Sequence, residues 1–86
     1  MAKFRMYTVE FVDNPTSGRK RDVNLLQVSN LLLFLNPDFN GWVVRVDTSD
    51  GNSVQVGPGG VGTSYTTFAD GLVGFGEWVD RVENAA

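Results

Sequence analysis

Residues 67–83, TFADGLVGFGEWVDRVE, carry the most regular hydrophobic pattern in the chain. Apolar side chains recur there at intervals of three and four residues, which places them on one face of an α-helix: Phe68, Leu72, Phe75, Val79 and Val82. Asp70, Glu77 and Arg81 fall on the opposite face, as expected of an amphipathic helix that lies on a sheet. Thr67 is the expected N-cap of this helix, with Asp70 as its capping-box partner.

The same predicted helix contains three glycines, at positions 71, 74 and 76. Each costs a helix about 1 kcal/mol relative to alanine. Gly71 is predicted on the buried side, where a missing side chain lets a neighbouring segment approach closely, but the pattern does not explain Gly74 and Gly76. We expect Trp42 and Trp78 to be buried where the second predicted hairpin meets this helix.

Length and composition indicate one small α+β domain, because 86 residues that are 42% hydrophobic are enough for a single core. The chain has no cysteine and no histidine. It therefore lacks a thiol nucleophile, zinc–thiolate ligands and the commonest general base. Residues 1–6 lack the apolar core of a signal peptide, so we expect a cytoplasmic protein without a membrane span.

The net charge of −3 is divided unevenly along the chain. Residues 1–21 contain five basic and two acidic side chains, a balance of +3, and the remainder contains two basic and eight acidic side chains, a balance of −6. Such a division favours association with a charged partner or with a second copy, but it does not determine the fold.

The first half of the chain is predicted to form a hairpin followed by a helix. Residues 4–12 alternate between apolar and polar side chains as a strand does. A turn over residues 13–18 leads to a returning strand at residues 19–23. Residues 24–35 are predicted to form a helix that ends before Pro37, and its core-facing residues are Leu25, Val28, Leu31, Leu32 and Leu35.

The second half begins with a strand at residues 42–48 and a turn at residues 49–51. A three-residue turn with a left-handed Gly51 would set Val46 opposite Val54 and Val44 opposite Val56. We favour this turn, because a slip of one residue would move every side chain to the other face. With a flexible loop at residues 57–64, the predicted fold is α+β in the order β-β-α-β-β-α. It has a four-stranded antiparallel sheet and two helices packed on one face.

Residues 57–62, GPGGVG, match two phosphate-binding spacings but lack the other parts of either motif. The dinucleotide motif needs a parallel βαβ unit, and the phosphate loop needs a lysine where Thr63 stands. The carboxylates show no pattern that would raise a pKa for catalysis. They lie near a turn or on the solvent face of the last helix: Asp47, Asp50, Asp70, Glu77 and Asp80. We therefore expect no enzymatic activity, cofactor, metal or small-molecule substrate.

Surplus apolar side chains favour a protein-binding function. Five of them fall outside the predicted core stripes: Leu26, Leu33, Phe34, Phe39 and Val73. We expect a protein partner or a homodimer with Phe34 near the centre of the interface. In size and charge the chain resembles bacterial or phage accessory proteins, such as anti-restriction and anti-CRISPR inhibitors, which act by occluding a larger partner.

Nucleic-acid binding is the alternative function. Basic side chains and one aromatic ring are concentrated in the N-terminal hairpin, where they suit phosphate contact and base stacking: Arg5, Tyr7, Arg19, Lys20 and Arg21. The overall pI near 4.6 argues against this alternative, and basic residues also protect edge strands from unwanted pairing.

Overall fold

The computed structural model describes residues 3–11 and 20–86. Within these residues it contains one α-helix and six strands: β1 (Met6–Glu10), β2 (Lys20–Asn24), β3 (Val28–Asn36), β4 (Gly41–Thr48), β5 (Ser53–Gly57), β6 (Gly60–Val61) and α1 (Phe68–Ala85). Short 3₁₀ helices at Leu25–Gln27 and Pro37–Phe39 precede and follow β3. The predicted turn over residues 13–18 lies outside the described residues.

The strands form two antiparallel sheets. β1 and β2 make a two-stranded sheet, and the other strands make a four-stranded sheet in the order β3-β4-β5-β6. A parallel bridge between Phe11 and Val61 links the end of β1 to β6. The α+β class and a four-stranded antiparallel sheet are therefore confirmed. The predicted element order is wrong, since β1 and β2 lie outside that sheet and a third strand replaces the first helix.

One face of the four-stranded sheet carries the core. Side chains of β4 and β5 point to it in pairs, with Val44 opposite Val56 and Val46 opposite Val54. α1 covers this face over β3 and β4. The β1–β2 hairpin contributes Val9 and Val23 to the same core, so it takes the place that the second predicted helix would have had.

The prediction of a helix over residues 24–35 is wrong. Asn24 does cap a helical turn, because its Oδ1 accepts a hydrogen bond from the Leu26 N–H at 3.2 Å, but only the 3₁₀ turn Leu25–Gln27 follows. The run from Leu31 to Leu35 is apolar at every position because a strand has two faces. Its odd-numbered leucines face α1 and its even-numbered residues face the other side. Periodicity alone cannot separate such a run from a buried helix.

The last helix is confirmed, but its buried face is rotated from the predicted one. Its N-cap is Thr67, whose hydroxyl accepts a hydrogen bond from the Asp70 N–H at 3.2 Å. The buried residues are Gly71, Gly74, Trp78 and Ala85. Phe68 and Leu72, predicted in the core, are each 51% exposed, and Arg81, predicted on the outer face, covers the Tyr7 ring at 4.5 Å.

Glycine explains this rotation. A Cβ on Gly71 would lie 3.0 Å from Leu33 Cδ1 and 3.1 Å from Trp42 Cβ, and a Cβ on Gly74 would overlap the Tyr65 hydroxyl. The glycines thus let α1 lie close to the sheet with Trp78 beneath it. Trp78 is 4% exposed, as predicted, but Trp42 is only half-buried.

The second hairpin has the predicted register, and Gly51 has the predicted left-handed conformation with φ +88°. The first part of the loop predicted at residues 57–64 is instead part of a hairpin. Gly57 pairs with Gly60 in a tight hairpin. The Thr63 hydroxyl closes this hairpin by accepting from the Gly59 N–H at 3.0 Å and donating to the Gly60 carbonyl at 2.8 Å.

Candidate protein-interaction surface

β3 is an edge strand of the four-stranded sheet. It has nine residues, VSNLLLFLN, and contains neither a charged residue nor a proline. Its pairing with β4 is regular from Asn30 to Asn36, with one irregularity between Val28 and Asn30. Within the described residues, no strand pairs with its other side. β3 is therefore a long, uncharged and unprotected strand edge.

The hydrogen bonds of β4 show which backbone groups of β3 face outward. Trp42 exchanges both of its backbone hydrogen bonds with Tyr65, at 2.8 Å each, on the side of β4 away from β3. Because bonding direction alternates along an antiparallel strand, Val43 and Arg45 direct their backbone groups toward β3. Their register partners are Phe34 and Leu32.

The odd-numbered residues of the regular part of β3 must therefore direct their N–H and C=O groups to the free edge. These residues are Leu31, Leu33 and Leu35. Across the described part of the chain, these groups have no hydrogen-bond partner outside β3. They form a row of alternating donors and acceptors that another strand could satisfy.

Apolar side chains border this row on both faces of the sheet. On the α1 side, Leu35 is 59% exposed and pairs with Trp42, whose ring meets the Phe68 ring edge-on at a centroid distance of 5.0 Å. Leu72 lies one helical turn after Phe68. On the opposite face Leu32 is 36% exposed. We call the free edge of β3 together with Leu32, Leu35, Phe68 and Leu72 the β3 flank.

The flank continues along α1, which runs antiparallel to β3. A shallow groove separates α1 from β3 near the N-terminal end of the strand. Its lining residues are Val28, Ser29, Asn30, Leu31 and Val82. On the sheet face opposite α1, the charged side chains of β4 beside β3 form an ion pair. Arg45 Nη2 donates a hydrogen bond to Asp47 Oδ2 at 3.1 Å. Their second contact, Nε to Oδ1 at 3.1 Å, is an ion pair without hydrogen-bond geometry.

The five predicted interface residues do not form one surface. Leu33 and Phe34 both lie on β3. Leu33 packs partly against the core, and Phe34 is half-buried on the sheet face opposite α1. Phe39 is half-buried in the turn after β3, and Val73 lies on the outer side of α1. Leu26 belongs to a separate exposed cluster with Phe4 and Met6.

Sequence reasoning missed Leu32, Leu35, Phe68 and Leu72, because it assigned each of them to the core stripe of a helix. A usable signal was present in residues 31–35, since five consecutive large apolar residues exceed what one helix face of a small protein can bury. Two of these residues, Leu33 and Phe34, are predicted interface residues because they fall outside the core stripe of the predicted helix.

Three of the five predicted nucleic-acid residues are engaged in contacts within the protein. Tyr7 contacts Trp78 edge-on at 5.2 Å and lies under Arg81, so its ring is not free to stack on a base. Arg21 donates to the Ser53 carbonyl at 2.8 Å, and Lys20 forms an ion pair with Glu10 at 3.7 Å. Arg5 is exposed, and Arg19 lies outside the described residues.

Two carboxylates stabilise the local structure. Asp47 pairs with Arg45, and Asp50 accepts hydrogen bonds from Thr48 and Asn52 within the turn. The described residues include no cluster of three His, Cys, Asp or Glu side chains that could hold a metal ion. They also include no helix with the length and apolar character needed to cross a membrane.

Comparison with other proteins identifies no relative. No family model, no curated protein and no solved structure matches the chain at a significant level.

Proposed function

We propose that the chain is a non-enzymatic protein-binding module that receives an extended strand from another protein chain at the β3 flank. The observation that carries this proposal is the nine-residue, uncharged strand edge with outward backbone groups at Leu31, Leu33 and Leu35. Strand addition uses such groups for affinity and the neighbouring apolar side chains for specificity.

The absence of edge protection on β3 supports this function. Edge strands are usually protected by charged side chains, prolines, short length or bulges. In this protein the edge of the β1–β2 hairpin carries Lys20 and Glu10, whereas the regular part of β3 has none of these devices. A free strand edge with five consecutive apolar residues and no protecting feature is typical of an element that binds another strand.

The small size, the acidic balance and the uncharged strand edge suit an accessory or inhibitory protein that occludes a larger partner. Nucleic-acid binding through the basic hairpin has weaker support, because Tyr7 is covered by Arg81 and Arg21 is bonded to Ser53. The same apolar edge would serve a heterologous partner or a second copy, since both present a backbone strand.

Leu35→Pro tests this function. Proline removes the outward N–H of an exposed residue and leaves the hydrogen bonds between β3 and β4 in place, a substitution that edge strands tolerate. We expect proteins that immobilised wild type retains from a native lysate to be lost with Leu35→Pro and kept with Val73→Asp, while both variants melt cooperatively. Retention of the same proteins by folded Leu35→Pro would refute binding at this edge.

A further inference from the structure

We infer that the occupant of the β3 flank is a second copy of this chain, paired β3 to β3 in antiparallel orientation about a two-fold axis. This inference rests on the proposed function, because it names the strand that the edge receives. In such a dimer the two four-stranded sheets become one continuous eight-stranded sheet, and the α1 helices of both copies lie on the same face of it.

The outward backbone groups select one register. A two-fold axis requires the paired residue numbers to have a constant sum, and hydrogen-bonded pairs can form only between residues whose groups point outward. With the axis at Leu33, Leu33 pairs with itself and Leu31 pairs with Leu35 of the other copy. All three residues then exchange hydrogen bonds, whereas an axis at residue 32 or 34 would leave one of them without a partner in this set.

The same register also covers the exposed side chains. On the open face it sets Leu32 opposite Phe34 of the other copy, so that the half-buried Phe34 and the 36%-exposed Leu32 cover each other. On the α1 face it sets the 59%-exposed Leu35 opposite Leu31 of the other copy. The same register therefore pairs the free backbone groups of β3 and covers apolar side chains on both faces of the sheet.

Charge and strand length also fit a second copy. A two-fold interface brings each patch against itself, so any net charge would repel its own copy, and β3, Phe68 and Leu72 are uncharged. In the register centred on Leu33, residues 30–36 of the two strands pair over a length of about 23 Å.

The absence of native cysteine makes disulfide cross-linking a direct test of this register. In the dimer, Leu33→Cys lies opposite its own copy with a Cα separation of about 5.5 Å, within the range that a disulfide spans. Leu32→Cys lies opposite residue 34, so its own copy is roughly 8 Å away and out of range. The double variant with Leu32→Cys and Phe34→Cys cross-links again, and it provides a second test if Leu33→Cys fails to fold.

We expect purified wild type to show twice the 9.4 kDa chain mass by light scattering. Under mild oxidation, Leu33→Cys should give a covalent dimer, and neither Leu32→Cys nor Val73→Cys should do so. A monomeric wild type at high micromolar concentration would overturn the inference. A dimer that persists in Leu35→Pro, together with a folded Leu33→Cys variant that does not cross-link, would overturn it as well.

The two proposals fail in distinguishable ways. If the wild type is monomeric but retains proteins that Leu35→Pro loses, the edge binds a heterologous strand and only the second copy is refuted. If the wild type is monomeric and Leu35→Pro changes no interaction, both proposals fail.

Discussion

Gly74 and Gly76 lie two residues apart in α1 and have opposite surroundings. A Cβ on Gly74 would overlap the hydroxyl and ring of Tyr65, whereas a Cβ on Gly76 would meet nothing within 4 Å. Tyr65 cannot retreat easily, because its backbone N–H and C=O are both bonded to Trp42. Burial and then the charge of Glu77 raise the pKa of its phenol, in keeping with a hydroxyl held against the helix. The structure gives no reason for glycine at position 76.

This contrast predicts opposite effects of one substitution. Gly76→Ala should raise the free energy of unfolding by about 0.5–1 kcal/mol through helix propensity alone. Gly74→Ala should lower it by about 1–3 kcal/mol, since overpacking outweighs the same gain in propensity. Urea unfolding of both variants measures the difference. Equal stabilisation by the two substitutions would show that α1 does not contact Tyr65 at Gly74.

Asp50 is an exposed residue whose hydrogen bonds shape the β4–β5 turn. The Thr48 hydroxyl and then the backbone and side-chain N–H groups of Asn52 donate to its carboxylate, and they lower the pKa of Asp50. A carboxyl whose pKa is lower in the folded state stabilises the fold above its unfolded pKa. That contribution is lost as the pH falls through the folded pKa.

We predict that NMR titration of the Asp50 carboxyl carbon gives a pKa below the ordinary value for aspartate. Thr48→Val should raise this pKa toward the ordinary value, because the largest of the stabilising hydrogen bonds is then missing. Val is well suited to a strand, so the register should be unaffected. An ordinary pKa in the wild type, or no response to Thr48→Val, would contradict this description of the turn.

At the scale of elements, α1 is buried mainly through small residues and one tryptophan, while Phe75 and Val82 of its most regular apolar stripe are only partly buried against the core. Trp78→Ala should therefore cost about 3–5 kcal/mol, close to the whole stability of a small domain. Leu72→Ala, at a half-exposed position on the same helix, should cost about 1 kcal/mol or less. Thermal and urea unfolding test the pair. If Leu72→Ala lowered the free energy of unfolding more than Trp78→Ala, α1 would be buried through the face predicted from its apolar stripe.

How well the sequence predicts each element depends on how local its determinants are. The β4–β5 turn was predictable in register, because only a left-handed Gly51 lets Val44 and Val46 meet Val56 and Val54. β3 was not predictable by periodicity, because a strand that is apolar on both faces has the same composition as a buried helix. The burial of Gly71 was predictable from its place beside the stripe, whereas that of Gly74 depends on Tyr65, nine residues earlier in the chain.

At the scale of the whole molecule, the arrangement of layers depends on contacts between distant segments. The hairpin joins the core through contacts of Tyr7 with Trp78 and Arg81, and through the hydrogen bond from Arg21 to Ser53. These contacts join segments that are far apart in the sequence, so no local pattern predicts them. Sequence patterns alone instead predict a second helix that covers the sheet. With the hairpin and α1 on one face, β3 remains as an apolar edge that nothing in the described residues covers.

Backbone amide exchange in β3, measured by NMR at low and high protein concentration, tests the role of this edge most directly. The amides of Leu32 and Phe34 should be protected at both concentrations, because they bond to β4. Those of Leu31, Leu33 and Leu35 should exchange rapidly in dilute solution and become protected as the chain associates. If these three amides exchange equally fast at every concentration and with every bound protein, β3 is not a binding edge.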